Sequence, residues 1–219
     1  MSALFPLALA AFSGYFIYQF TTNFKPNAKK IVSDLNELKQ EVQEWVPNLV
    51  PWTHANMELL SYEQANKTIK KGLSKTAKGT FNTVYHEPLF TYSYKQYVSS
   101  GNNALLYAQT SKNELAFRIQ KKEVAISIDN EYAGVLKEGG LFYGGPKQTL
   151  IARINQDDAL KLKPIIIGEK EVASIVNPSK AAVPNPRALK FVTPMEAEEE
   201  KIFLALTILE IVTNSFDRE

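Results

Sequence analysis

The sequence has no cysteine among its 219 residues. This absence excludes disulfide bonds, thiolate metal sites and a cysteine nucleophile. Histidine is scarce as well, because the chain has only His54 and His86, which lie far apart without a second ligand at metal-binding spacing. We therefore predict that the protein holds no metal ion and no cofactor.

A strong charge of either sign is also missing. The formal net charge is +2, which is too small to indicate a nucleic-acid partner. Hydrophobic residues make up 45% of the chain and charged residues 22%, a balance that provides a core and is not typical of disorder. The length leaves room for one domain of ordinary size besides an N-terminal segment.

The sequence lacks a recognisable catalytic constellation. Asp157 and Asp158 are adjacent, so their side chains point apart in an extended segment. Asp129 and Glu131 lie at a predicted turn, and His86 has no identifiable serine or metal partner. We therefore predict that the protein is not an enzyme.

The glycines of GGLFYGG, residues 139–145, suggest a phosphate-binding loop at first sight. The motif lacks the GK[ST] ending, because Gly145 is followed by Pro146, Lys147 and Gln148, and no G-x-G-x-x-G opens a helix. We interpret the segment as glycine turns around a strand.

The longest uncharged stretch lies at the N-terminus, where residues 2–24 carry no charge. About 20 helical residues cross a hydrocarbon core of about 30 Å, so we predict a transmembrane anchor over residues 1–24. A cleaved signal peptide is the alternative, but it requires basic residues before the apolar stretch, and none is present. Lys25, Lys29 and Lys30 follow the span, so the positive-inside rule predicts a cytoplasmic C-terminal domain.

An amphipathic helix is predicted over residues 28–46. Its apolar residues alternate at spacings of four and three, which forms a narrow seam on one face. The opposite face, which includes Asp34, is charged and is expected to face solvent. The seam indicates packing on the protein's own domain or on a neighbouring membrane protein; a dimer stalk is the alternative, and the shortness of the seam disfavours it. The seam residues are Ile31, Leu35, Leu38, Val42 and Trp45.

A second helix is predicted over residues 61–72. Ser61 and Gln64 have the spacing of a capping box, and Gly72 suits a helix end. Lysines accumulate here, and residues 65–79 contain no acidic residue. Near a membrane such lysines attract anionic headgroups, although a solvated helix face and loop is the alternative. The candidate headgroup-binding residues are Lys67, Lys70, Lys71, Lys75 and Lys78.

Short strands are predicted throughout residues 80–192. Val, Ile, Tyr, Phe and Thr are frequent there, and turn residues recur at short intervals, as in an antiparallel barrel or sandwich of hairpins. Residues 125–136 and 164–176 form a pair of similar hairpins with polar turns. The predicted strands are 80–85, 90–98, 103–109, 115–121, 123–129, 132–137, 140–143, 148–155, 163–167, 171–176 and 188–192.

The C-terminal part of the chain predicts a helix that is apolar on nearly every side. Thr193 suits the N-cap position, Pro194 the first helical position and Glu196 the end of a capping box. Among residues 202–212 only Thr207 and Glu210 are polar. The stretch is about 16 Å long, about half a bilayer, so we expect it to be buried inside the barrel.

A meander of short strands followed by an apolar C-terminal helix resembles the tubby-like fold, in the variant of the LURP-one-related proteins and the phospholipid scramblases. The resemblance covers about residues 80–216. The segments that carry it are ALLYAQ (104–109), LAFRIQ (115–120), VAISIDNEYAGVL (124–136), IIIGEKEVASIV (165–176) and EEKIFLALTILEIVTNSF (199–216).

The resemblance implies a binding or scaffold domain at a membrane, without catalysis. Two departures limit it. Tubby proteins have a basic phosphoinositide site, and no position here matches that site. Scramblases carry their anchor at the C-terminal end, whereas the predicted anchor here is N-terminal.

Together these observations predict a mainly β (α+β) protein in three parts: an anchor (1–24), amphipathic helices with a linker (25–79), and a tubby-like antiparallel barrel enclosing the C-terminal helix (80–219). We expect a membrane-anchored, non-catalytic binding or scaffold protein that recognises anionic lipid headgroups or a partner protein. The alternative is an accessory structural subunit of a larger membrane complex, contacted through the N-terminal helices. Self-association through residues 28–46 is a further expectation.

Overall fold

The computed structural model describes residues 26–72, 74–98, 102–157, 159–181 and 186–216. The predicted anchor at residues 1–24 lies outside these ranges. Within them, no helix has both the length and the apolar character that crossing a membrane requires.

One antiparallel sheet of 12 strands dominates the structure, and its strands are neighbours in the order of the chain. The strands predicted beyond residue 80 are confirmed, with ends that differ by a few residues. The strands are β1 Leu60–Lys71, β2 Lys75–Thr83, β3 Pro88–Gln96, β4 Asn103–Thr110, β5 Glu114–Gln120, β6 Glu123–Ile128, β7 Glu131–Lys137, β8 Leu141–Gly144, β9 Thr149–Ile154, β10 Leu162–Ile167, β11 Lys170–Val176 and β12 Leu189–Phe191.

The first strand meets the last part of the sheet, so the sheet curls into a nearly closed barrel. Ser61 forms an antiparallel bridge with Arg187, and the Ala188 N–H donates to the Leu60 carbonyl at 2.6 Å. The Tyr62 hydroxyl donates to the Val176 carbonyl at 2.5 Å. These bonds use backbone groups that an open sheet would leave unpaired at its edges.

The prediction of a helix at residues 61–72 is wrong, because this segment is strand β1. Ser61 is buried, and its hydroxyl donates to the Asn82 carbonyl instead of capping a helix. The Gln64 side chain accepts a hydrogen bond from the Tyr92 hydroxyl at 2.7 Å. Pairing with β2 supplies the backbone partners, so tertiary context overrides a local sequence that favours helix. The sheet therefore begins at Leu60, ahead of the predicted residue 80.

The glycine-rich segment forms strand β8 with turns on both sides, as predicted. Gly139, Gly140 and Gly145 have φ angles of 84°, 77° and 72°, which favour glycine. A Cβ on Gly140 would lie 1.9 Å from the Ile154 carbonyl oxygen, so no larger residue fits there. The turn predicted at Asp129-Asn130 is also confirmed, with φ angles of 53° and 67°.

In the part of the chain that the structure describes, three α-helices accompany the sheet: α1 Ala28–Val42, the short α2 His54–Met57 and α3 Ala197–Asn214. Single turns of 3₁₀-helix lie at Val46–Asn48 and Pro178–Lys180. Helix α3 begins later than predicted: Glu196 is the N-cap, and its backbone N–H donates to the Glu199 carboxylate at 2.9 Å. The prediction of Thr193 as the N-cap is therefore wrong, because the Glu196–Glu199 pair forms the capping box.

Every residue of α3 from Phe203 to Val212 is buried. Consecutive helical residues point in all directions, so the rest of the chain covers this part of the helix on every side. Its side chains form one hydrophobic core with alternate residues of the strands, such as Phe117, Ile126 and Ile165. This core is the main source of apolar burial in the fold.

Helix α1 lies on the outer surface of the sheet. Leu38 and Val42 are buried against Tyr97, Leu105 and Tyr107, which forms a second, smaller core. The remaining seam residues, Ile31, Leu35 and Trp45, pack against the same cluster. The whole predicted seam is thus used within the chain, on strands β3 and β4.

Candidate functional site

The two rims of the barrel carry different charges. The odd-numbered strands finish and the even-numbered strands begin at one rim, which we call the basic end. Among the described residues, its turns and adjoining strand ends carry more lysines than carboxylates, and the carboxylates are those of Glu123, Glu138 and Asp157. The lysines are Lys70, Lys71, Lys75, Lys121, Lys122, Lys137, Lys161 and Lys180.

The opposite rim, the acidic end, carries an excess of carboxylates. Helix α3 starts there, because the Lys170 ammonium in β11 lies 2.8 Å from the Glu199 carboxylate. The first turns of α3 add Glu198 and Glu200 to this rim. The strand ends and turns contribute Glu87, Glu114, Asp129, Glu131, Glu169 and Glu171, opposed by Lys112, Lys147 and Lys170. Although the net charge is only +2, positive and negative side chains are therefore concentrated at opposite ends of the barrel axis.

Helix α1 runs from the basic end toward the acidic end. Asp34 contacts Tyr97, just beyond the end of β3, and Glu41 accepts a hydrogen bond from Ser93, nearer the middle of β3. The Val50 N–H then donates to the carbonyl of Pro88, the first residue of β3. The chain therefore enters the described structure at Pro26 on the basic end, next to Lys29 and Lys30.

The lysines predicted to bind headgroups lie on the β1–β2 hairpin, and the structure separates them into two groups. Lys67, Lys70 and Lys71 are exposed. The Lys75 ammonium lies 5.3 Å from the centre of the Phe216 ring. The Lys78 ammonium lies 5.2 Å from the Trp45 ring centre and donates to the Glu41 carbonyl at 3.3 Å. Lys75 and Lys78 thus have structural contacts, which leaves Lys70 and Lys71 best placed for a charged surface.

Asp34 joins α1 to the barrel, although its place on the charged helix face predicts exposure. The side chain is buried, and its carboxylate accepts hydrogen bonds from the Lys95 ammonium at 2.9 Å and the Tyr97 hydroxyl at 2.7 Å. Lys30 contributes a third bond at 2.8 Å. The prediction of a solvated Asp34 is wrong because strand β3 supplies partners that the helix sequence does not reveal.

In this cluster, Asp34 and Lys95 stabilise each other's charged form. Burial raises the pKa of Asp34, but the hydrogen bonds from Lys30, Lys95 and Tyr97 outweigh burial, so the pKa lies below its ordinary value. Burial lowers the pKa of Lys95, but the Asp34 and Glu37 carboxylates together outweigh burial, so the pKa lies above its ordinary value. Burial and the Asp34 carboxylate both raise the pKa of Tyr97.

Substitution Asp34→Asn is expected to lower the free energy of unfolding at pH 7 by about 2 kcal/mol, since it removes charge-assisted hydrogen bonds. A carboxyl whose pKa is lowered by folding stabilises the protein above its unfolded pKa, about 3.9, and this contribution disappears as the pH falls. Urea unfolding at pH 7 and at about pH 3, which lies below the unfolded pKa, should therefore show a smaller acid-induced loss of stability in Asp34→Asn than in the wild type. Glu44→Gln, at an exposed position just after α1, is the matched control; parallel pH dependences of Asp34→Asn and wild type would contradict the prediction.

A cavity of about 350 Å³ opens at the basic end, beside the last turns of α3. At its inner edge, the buried Lys163 ammonium lies 2.6 Å from the buried Glu210 carboxylate. The Glu210 carboxylate also accepts a hydrogen bond from the Asn214 amide at 2.8 Å. Neither the cavity nor the ion pair follows from the sequence, although a glutamate within an apolar helix is a signal that a buried cation lies nearby.

The catalytic candidates Asp129, Asp157 and His86 contact residues of neighbouring turns or strands. Asp129 accepts hydrogen bonds from the Asn113 amide at 2.8 Å and the Glu114 N–H at 3.0 Å. Asp157 accepts one from the Ala159 N–H at 2.9 Å, and Asp158 lies outside the described residues. His86 Nδ1 lies 2.6 Å from the Glu63 carboxylate, with its side chain largely exposed.

Compared with known proteins, the chain matches no protein-family model, no curated protein and no solved structure.

Proposed function

We propose that the protein is a membrane-anchored, non-catalytic binding module, with a tubby-like barrel that encloses its C-terminal helix and presents its basic end to anionic lipid headgroups. One observation carries the proposal: the chain that follows the hydrophobic segment enters the barrel at the rim where the lysines collect. In this arrangement the segment of residues 2–24 spans the bilayer and the barrel lies on the cytoplasmic side. Lysines near an anionic surface each contribute about 1 kcal/mol.

The charge separation along the barrel supports the same orientation. With its basic end toward anionic headgroups, the barrel keeps the carboxylates of the acidic end away from a surface that repels them. The packing of α1 on β3 and β4 places the start of the described chain at the basic end, which supports this orientation. Partner binding through the seam requires α1 to leave the barrel, and this disfavours the alternative of an accessory subunit contacted through that helix.

Vesicle flotation with a fragment of residues 26–219 tests the proposal. The fragment should float with vesicles containing phosphatidylserine and remain behind with pure phosphatidylcholine, and binding should weaken with salt. Lys70→Gln with Lys71→Gln should reduce affinity by about 2 kcal/mol, roughly 30-fold. The matched control is Lys112→Gln with Lys147→Gln at the acidic end, which should change little. Equal binding to neutral and anionic vesicles would refute headgroup recognition.

A further inference from the structure

The cavity at the basic end combines an apolar floor with a charged rim. Helix α3 contributes Leu206 and Leu209 to the floor, and the facing strands contribute Ile119, Val124, Leu136 and Ile154. The space reaches side chains of the large hydrophobic core, so a ligand in it would contact apolar groups. Mouths of β-barrels are among the places where small-molecule sites occur.

The charged side chains around the cavity form exposed ion pairs that an anionic ligand can replace. The Lys122 ammonium lies 2.6 Å from the Glu138 carboxylate, but both side chains are largely exposed, at 72% and 66%. Such a pair contributes only about 0–1 kcal/mol, so an incoming anion can replace Glu138 at little cost. Lys137 stacks over the Tyr143 ring at 5.0 Å, and Lys121 is exposed beside them. These three lysines thus line the cavity together with the carboxylates of Glu123 and Glu138.

We propose that this cavity binds a single-chain anionic amphiphile, with its carboxylate or phosphate at Lys121, Lys122 and Lys137 and its acyl chain on the floor. The volume lies at the lower end of the range of about 300–1,000 Å³ for small-molecule sites, which suits one chain and not a two-chain phospholipid. The buried Lys163–Glu210 pair is already matched and closes the inner edge of the site.

This site lies at the same basic end as the proposed headgroup-binding surface, but it does not use Lys70 or Lys71 of the hairpin. The exposed hairpin lysines Lys70 and Lys71 belong to β1, whereas the cavity is bordered by α3 and by strands β5, β6, β7, β9 and β10. The inference therefore goes beyond headgroup attraction, because it assigns a bound molecule to the barrel itself. Two sources share the required chemistry, namely fatty acids in water and lysophospholipids in the bilayer.

Equilibrium dialysis of radiolabelled decanoate against the full-length protein in phosphatidylcholine nanodiscs tests the proposal, with empty nanodiscs as the blank. We expect saturable binding of one decanoate per protein and at least tenfold weaker binding of decanol. Val124→Trp, which fills the cavity, should abolish saturable binding. Lys122→Gln with Lys137→Gln should weaken decanoate at least tenfold and leave decanol unchanged, and this pair serves if Val124→Trp does not fold.

Matched controls separate this site from the rest of the surface. Lys70→Gln with Lys71→Gln should lower vesicle binding and leave decanoate affinity unchanged. The vesicle assay therefore tests headgroup binding, and the decanoate assay tests the cavity independently. Displacement of decanoate by oleoyl lysophosphatidate held in the nanodisc supports a bilayer ligand, and lack of displacement supports a soluble one. The proposal would be overturned if decanoate uptake were non-saturable and equal to that of empty nanodiscs. It would also be overturned if Lys122→Gln with Lys137→Gln bound decanoate with unchanged affinity.

Discussion

Replacing Leu204 with alanine is expected to lower the free energy of unfolding by about 2–5 kcal/mol. Leu204 is fully buried within α3, and the residues around it belong to the single large core that joins the helix to the strands. The loss combines the transfer energy of the removed methyl groups with the cost of the cavity that remains. Urea unfolding should show a lower midpoint with an unchanged slope, because the surface exposed on unfolding stays nearly the same.

Val192→Ala is the matched control for this substitution. Val192 follows β12, and its side chain is 56% exposed, so truncation should change stability by no more than about 0.5 kcal/mol. Similar small effects at Leu204 and Val192 would mean that α3 is not covered by the barrel. The proposed architecture would then fail.

Replacing Lys163 with methionine is expected to cost about 3 kcal/mol. The substitution removes the ammonium that faces the Glu210 carboxylate. The carboxylate stays buried and keeps its hydrogen bond from the Asn214 amide. Glu210 also lies in the C-terminal part of α3, where the helix dipole disfavours negative charge. Breaking a buried pair typically costs about 3–5 kcal/mol, and the adjoining cavity admits water that reduces the penalty.

The double variant Lys163→Met with Glu210→Leu should recover the loss, because apolar residues that replace both members of a buried pair are often neutral or stabilising. The comparison of the two single variants with the double variant gives the coupling energy directly. A control cycle at the exposed Lys201 and Glu198, which lie 2.9 Å apart, should give no more than about 1 kcal/mol. A double variant as unstable as Lys163→Met alone would show that the two charges do not act as a pair.

The strands of the barrel are predictable because their side chains alternate between core and surface. In β5, for example, Leu115, Phe117 and Ile119 face the core, and Ala116 and Arg118 between them are more exposed. The same period recurs in β6 and β10, and polar turns separate the strands. The apolar character of α3 on nearly every side likewise predicts its burial from the sequence alone.

Strand β1 is not predictable in this way. Glu63, Gln64 and Ala65 favour helix, and the β-branched residues that mark a strand appear only at Thr68 and Ile69. Its conformation depends on pairing with β2 and on the bridge from Ser61 to Arg187, which is distant in the sequence. Local propensity carries no information about such partners.

The candidate sites depend even more on distant contacts. Asp34 is buried only because Lys95 and Tyr97 meet it from β3, and Lys163 and Glu210 are 47 residues apart. The lysine run was visible in the sequence, but the concentration of positive charge at one rim follows from the order of the strands. Charges can be counted from a sequence, whereas their position around a barrel requires its topology.

The position of α3 after all twelve strands has a consequence for biosynthesis. A ribosome makes the whole sheet before it makes the helix whose side chains fill the barrel, so inward residues such as Phe117 and Ile165 lack their packing partners during translation. Completion of the fold then depends on contacts between remote parts of the chain, which form slowly and leave apolar surface open to aggregation. We expect nascent chains that stop before Ala197 to require chaperones and to be degraded rapidly.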